Sequence, residues 1–354
     1  MGLNIKNQKT YKEYVQFKVG VIAVLFVLML LAAVVSIAAG AADISVRDVI
    51  MTLIGRGSEK HRTIILNLRL TRVVTSIVCG TGLAVTGCAM QSLMRNSLAS
   101  DSTIGVSQGA AFGAAFAIVV LGAGVQSHGA DGVMIRNSYI VPLCAFVSSM
   151  ISTFVVLALS KLREITPESI VLSGVALSAL FSGGNTIMQY FADDVSLSSI
   201  VFWTFGDMGR TSWQQIGIMA AVVVFAYIYF FLNRWNFNAL QSGESSAKGL
   251  GVNVGRLRIA GMTVCSFTAA VIVSFVGIIN FVGLVSPHLM RRLIGDDNRY
   301  LMPASAFTGA LMMLLSDTLA RLIVAPVVLP IGAITSFVGA PVFLYLLYKG
   351  VKRK

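Results

Sequence analysis

The sequence predicts an all-α, polytopic membrane protein with about ten transmembrane helices, and three observations predict it. Of 354 residues, 56% are hydrophobic and 12% are charged, against about 25% charged in ordinary soluble domains; mean hydropathy is +0.81. Charge-free runs of about 20 residues, enough to cross a bilayer, recur from one end of the chain to the other. The 27 Lys and Arg residues fall in short clusters between those runs, as membrane proteins distribute them. A water-soluble fold of this length leaves too much area in water to hide so much apolar surface. Lipid has to be its solvent.

In chain order the predicted spans are Val19–Ala41, Val73–Met94, Gly105–Gly124, Tyr139–Ser160, Ile170–Ala192, Trp213–Leu232, Leu301–Ile323 and Ile331–Tyr348. A further stretch, 259–290, carries no formal charge. As one helix it would be about 48 Å long at 1.5 Å per residue, too long for a single crossing. Gly277, Asn280, Gly283 and Pro287 offer places to turn, so the stretch reads as two spans meeting near Gly277–Asn280, the second short. The first span follows a basic leader and ends in Ala39-Gly-Ala-Ala42. Its apolar run exceeds the roughly 7–15 residues of a secretory signal core, and it reads as a retained anchor.

An even number of spans puts both termini on one side. Lys6, Lys9, Lys12 and Lys18 precede the first span, and Lys349, Lys352, Arg353 and Lys354 follow the last. Two thirds of all Lys and Arg fall on that side, which the positive-inside bias makes cytoplasmic. The chain therefore divides into a cytoplasmic segment 1–18, a transmembrane domain 19–348 with a polar cytoplasmic insert at about 238–258, and a basic cytoplasmic tail 349–354. On the opposite side Arg47, Arg56, Lys60, Arg62, Arg69 and Arg72 crowd one stretch after the first span. A basic outer surface against the general bias invites an acidic partner.

Other function classes lack their residues. The net charge of +12 is scattered rather than gathered in a stripe, which argues against nucleic acid as a partner. Cys79, Cys88, Cys144 and Cys265 lie inside apolar runs, and His61, His128 and His288 are dispersed; neither a disulfide framework nor a metal site has the required spacing. An ion-coupled carrier wants carboxylates at mid-membrane, whereas every Asp and Glu here reads as loop or span end. Ser286-Pro-His288 lacks a third group and helical spacing for a triad. No GxxxxGK[ST] phosphate loop occurs, so this chain reads as a transport subunit and not an enzyme, without a cofactor of its own.

Several segments carry a more specific likeness. They are Arg69-Leu-Thr-Arg72, Gly87-Cys-Ala-Met-Gln91, Arg95-Asn-Ser-Leu-Ala99, Ile104-Gly-Val-Ser-Gln-Gly-Ala110 and Leu172-Ser-Gly-Val-Ala-Leu177 in the first half. The second half has Asn238-Ala-Leu240, Gly243-Glu-Ser-Ser-Ala-Lys-Gly-Leu-Gly251, Phe281-Val-Gly-Leu-Val-Ser-Pro-His288, Ser316-Asp-Thr-Leu-Ala-Arg321, Leu329-Pro-Ile-Gly332 and Gly339-Ala-Pro-Val-Phe343. In this order and spacing, over roughly residues 60–350, the chain resembles the FecCD-type permeases of ABC importers for iron siderophores, haem and cobalamin.

The resemblance implies an importer-permease fold in which spans two to five and seven to ten are inverted repeats. It also implies a second permease copy or a related permease, a cytoplasmic ABC ATPase subunit that binds ATP and Mg²⁺, and an extracytoplasmic substrate-binding protein, in a bacterial or archaeal plasma (inner) membrane. Arg69, Arg72 and Arg321 match the arginines that meet acidic residues of the binding protein, although Thr71 stands where the family usually has proline. Asn96 and Leu98 match the cytoplasmic gate, with Ser97 in place of another proline and 166–169 as its second part. Gly243, Glu244, Ala247 and Gly251 fall in the segment that couples to the ATPase, where residues 244–248 can form a short exposed helix ended by Gly249 and Gly251. Asp317, one turn before Arg321, reads as its intrahelical ion-pair partner. Gly80, Gly82, Gly87, Gly105, Gly109 and Gly113 read as faces for close helix packing. The cargo implied first is a ferric siderophore.

Overall fold

The computed structural model describes residues 11–39, 51–52, 54–56, 58–123, 139–162 and 167–351. Lys6, Lys9, Arg47, His128, Thr166, the last residues of the first and third predicted spans, and the tail from Lys352 lie outside them. The helices are α1 (Tyr11–Ala38), α2 (Leu70–Met94), α3 (Val106–Val119), α4 (Ile140–Leu162), α5 (Pro167–Phe191), α6 (Asp194–Thr204) and α7 (Trp213–Leu232). They continue with α8 (Arg234–Gln241), α9 (Glu244–Gly249), α10 (Val254–Val276), α11 (Val282–Ile294), α12 (Asn298–Leu322) and α13 (Ile331–Val351). Each predicted span coincides with a helix. Among the described residues six helices are long and apolar enough to cross a membrane by length and composition alone, while Val106–Val119 and Ile331–Leu346 are shorter apolar helices.

The charge-free stretch 259–290 breaks where its small residues allow. Helix α10 stops at Gly277, which has φ +92°, a conformation open to glycine at little cost. The chain restarts as α11 after Phe281, itself left-handed at φ 66°. Two helices were not expected from the sequence. Asp193 accepts a hydrogen bond from the Ser196 amide and starts α6, and Asn233 leads directly from α7 into α8.

Helix α2 is the axis of the bundle. A Cβ at Gly80 would collide with the backbone of Gly309 on α12, and one at Gly87 with the backbone of Gly283 on α11. Small residues let these backbones touch, which is how helices associate where lipid removes the hydrophobic incentive. Gly113 meets the Cys144 carbonyl in the same way and joins α3 to α4. At the periphery, Leu172, Leu180, Tyr190 and Phe191 of α5 are exposed, as are Leu28, Leu31 and Val35 of α1. Cys79, Cys88 and Cys265 are buried free thiols.

Asp101 and Asp317 lie in a loop and near a span end, as expected from the sequence, but both are buried. Asp317, in the last two turns of α12, is completely buried. Asp101 is also buried, in a 3₁₀ turn that folds back towards α11, where its Oδ1 lies 3.7 Å from the position a Cβ would take at Gly283. His288 is buried without a hydrogen-bond partner on either ring nitrogen and packs edge-on against Phe343 with ring centroids 5.7 Å apart. It is not joined to Ser286, whose hydroxyl is unpartnered too.

Candidate functional sites

The residues singled out from the sequence gather at the two ends of α2, which at 1.5 Å per residue is about 37 Å long. At its N-terminal end a π-helical turn, Thr63–Arg69, leads into the α-helix. The turn changes the register, so Arg69 and Arg72 reach different acceptors. The Arg69 guanidinium donates to the Ile37 and Ala38 carbonyls of α1, each at 2.9 Å. Arg72 donates to Asp317 Oδ1 through Nε at 3.2 Å and Nη2 at 2.8 Å, and Nη2 lies 3.0 Å from Asp207 Oδ1. Arg321 meets Asp317 Oδ2 at 3.0 Å, the intrahelical pair expected from the spacing. It also donates to the Ala39 and Ser36 carbonyls and the Ser36 hydroxyl at 2.8–3.0 Å.

The three arginines are thus brought together but turned inward: the side chains of Arg72 and Arg321 are 14% and 10% exposed, and Arg69 is buried. The cause is the C-terminal end of α1. Its last carbonyls have no partner within the helix, and they sit at the negative end of the helix dipole. A guanidinium fork can satisfy two of them at once. Asp207, in contrast, stands half in solvent and accepts from the Gly209 amide at 2.9 Å. Arg56, Arg62 and Arg210 are the exposed cations of the neighbouring segments.

At the other end of α2, Arg95 takes a left-handed conformation at φ 49°. The Asn96 amide reaches back to the Gln91 carbonyl and the Arg95 amide to Ser92, a Schellman closure made without glycine. Asn96 Oδ1 then accepts from the Leu98 amide at 2.9 Å. This Asx turn does the stiffening that a proline at position 97 would do, and it leaves Leu98 exposed.

Beside that turn lie α8 and α9. Gly243 opens α9 at φ +127° and Gly251 follows it at φ +83°. Glu244 pairs with Arg258 of α10, and this hydrogen bond holds the Glu244 carboxyl below the usual carboxylate range. Arg258 is buried and its Nε donates to the Leu93 carbonyl in the last turn of α2 at 3.4 Å. Ala247 is completely buried in this chain's own core, so it does not present a small-residue surface outward. Ser245, Ser246, Lys248, Gly249 and Leu250 form the exposed face instead, with Leu250 73% exposed. A polar cavity of about 660 Å³ lies between the gate turn, α8 and the α11–α12 connection, lined by Gln91, Asn96, Asn238, Gln241 and Arg291 among others.

Residues 28–349 match the FecCD transport family. The chain belongs to that family. An ABC transporter permease protein of Methanocaldococcus jannaschii is 48% identical over 321 residues, 90% of this chain and 91% of the relative. The Fe(3+)-citrate import system permease of Bacillus subtilis is 34% identical over 317 residues, 89% and 90% of the two chains. A solved metal-chelate type ABC transporter in an inward-facing conformation superposes with TM-score 0.81 at 29% identity, covering 93% of this chain and 99% of that one. A FecCD protein is a permease subunit and not an enzyme, as the missing phosphate loop led one to expect.

Four residues of this FecCD chain escaped the sequence reading. Asp207 and Arg258 complete ion pairs across 135 and 14 positions, which no local pattern reveals for Asp207. Asn298 is buried at the start of α12 and accepts from Ser92 on α2. Leu250 sits inside a recognised motif, and its exposure follows only from the inward turn of Ala247.

Proposed function

We propose that this chain is the membrane-spanning permease of an ABC importer that carries an intact iron complex, a ferric siderophore in the first place, across a bacterial or archaeal inner membrane. ATP and Mg²⁺ bind to a separate cytoplasmic subunit, which engages the exposed face of α9 and Leu250. The observation that carries the reading is the division of labour along α2: cations at one end, and a gate turn joined to a small helix pair at the other. An acidic binding protein docks at the cationic end, where Arg72 exchanges the half-exposed Asp207 for a carboxylate of the partner. The uncovered face of α5 meets a second permease copy, and the cargo passes between the two. Both termini are cytoplasmic.

The test is uptake into vesicles by the permease reconstituted with its ATPase and binding protein, with ferric siderophore, haem and cobalamin offered separately. ATP-dependent accumulation of the siderophore supports the reading. Accumulation of haem or cobalamin alone overturns the cargo, and accumulation driven by an ion gradient without ATP overturns the mechanism.

A further inference from the structure

Two buried contacts join the small helices α8 and α9 to the last turn of α2, immediately before the gate turn. In the first, Glu244 at the start of α9 holds the guanidinium of Arg258, and the same guanidinium holds the Leu93 carbonyl. Leu93 is otherwise one of the helix-end carbonyls that lack an intrahelical partner. Gly261, one turn further along α10, presses on the Leu93 side chain: a Cβ there would lie 2.7 Å from Leu93 Cδ1.

The second contact is a chain built mainly of side-chain amides. Asn238 of α8 accepts at Oδ1 from both the backbone amide and the side-chain amide of Asn298, at 2.9 and 2.8 Å. It donates through Nδ2 to Asp297 at 2.9 Å. Asn298 Oδ1 in turn accepts from Ser92 Oγ of α2 at 3.3 Å, and Gln241 of α8 donates to the same Ser92 Oγ at 3.0 Å. Asn298 is completely buried, so breaking this chain would leave amide groups without partners or water, at about 1–3 kcal/mol for each group.

We propose that Arg258 and Asn298 are positioning residues that bolt α8–α9 to Ser92 and Leu93, so that a displacement of the small helices is delivered to the Asn96–Leu98 turn rather than absorbed on the way. This rests on the reading that α9 engages the ATPase. The two bolts meet consecutive residues on α2 from different neighbours, one through α10 and one through α12. Together they fix the turn in direction as well as in distance. Each has a different chemistry, so each can be loosened separately.

The experiment uses the full complex in proteoliposomes and reads cargo transported per ATP hydrolysed. N238A loosens the amide bolt and E244Q the ionic one. Both positions are partly exposed, and a cooperative thermal transition retained in each variant shows that it keeps the fold. Each single variant is expected to lower the transport-per-ATP ratio at least about fivefold, the lower end of ordinary intersite coupling. The double variant N238A/E244Q is expected to hydrolyse ATP with almost no transport. N238Q, which keeps both donor and acceptor on a longer arm, recovers part of the ratio; a merely structural role would instead lower the midpoint and leave the ratio intact. An unaltered ratio in the double variant overturns the proposal. A cysteine placed by L250C reports separately on the ATPase contact. If it cross-links to the ATPase while the double variant transports normally, the bolts are wrong and the engagement stands; if it does not cross-link, the engagement itself is wrong.

Discussion

The two ends of α2 are held by different physics. The outer end joins three guanidiniums, two carboxylates and the carbonyl end of α1, with Asp317 completely buried at the centre. The inner end is tied to its neighbours through amides and hydroxyls and through the Glu244–Arg258 pair, whose carboxylate is 37% exposed. A buried carboxylate shared by two cations is strongly destabilising to remove, because the cations are left uncompensated. A neutral network loses less per member and depends more on exact geometry. The outer cluster is therefore a fastening that tolerates little, and the inner one a linkage that can be tuned.

The largest effect separates the two ends most sharply. Asp317→Ala should destabilise the permease by about 3–5 kcal/mol, seen as loss of the thermal transition in detergent, whereas Glu244→Ala should shift it less, because the one cation it leaves, Arg258, keeps its bond to the Leu93 carbonyl. Equal shifts would erase the contrast. Next, Leu250→Asp should weaken ATPase association about tenfold or more, since burying a leucine contributes roughly 1.5–3 kcal/mol; an unchanged dissociation constant by surface plasmon resonance counts against α9 as the contact. A smaller effect is expected at the outer end. Asp207→Ala leaves Arg72 held by Asp317 but frees it from a competing carboxylate. Docking of the binding protein should then be a few-fold faster at low salt, and the gain should vanish at high ionic strength as screening shortens to about 3 Å. The smallest concerns pH. Because the Glu244 carboxyl is held low by Arg258, the contribution of that pair is fully present above the usual carboxylate range and is lost only as pH falls through the lowered value. Transport per ATP should be level from neutral to mildly acidic pH, and E244Q should remove whatever acid-side decline exists.

These contrasts also mark what a sequence discloses. The spans were legible because an apolar run has one solvent available to it, and the break at Gly277 because a run of that length cannot cross once. The Asp317–Arg321 pair was legible from its spacing. The Arg72–Asp317 bond, across 245 positions, was not. Ala247 looked outward by its company of serines and glycines, yet it is the side of α9 that packs against the core. Asp101 read only as a loop residue; its burial comes from the chain folding back between helices. Helices α6 and α8 were missed because they are short and carry polar residues, so neither gives a run long enough to read. On sequence alone Arg69 and Arg72 read as part of a basic outer surface. The structure places Asp317 against Arg72, so a glutamate at 72 would face a buried like charge.

The outer cluster has a consequence for how the protein is made. Arg69 can cap the Ile37 and Ala38 carbonyls early, but Arg321 reaches back 285 residues to Ser36, so the fastening of the first helix is completed only when almost the whole chain has left the ribosome. At about 5–20 residues per second, the Ser36 and Ala39 carbonyls wait roughly a quarter of a minute to a minute for Arg321. Truncated products never close this clasp. A quality-control protease that tests how firmly the first helix is held would therefore be testing whether translation had reached the ninth predicted span.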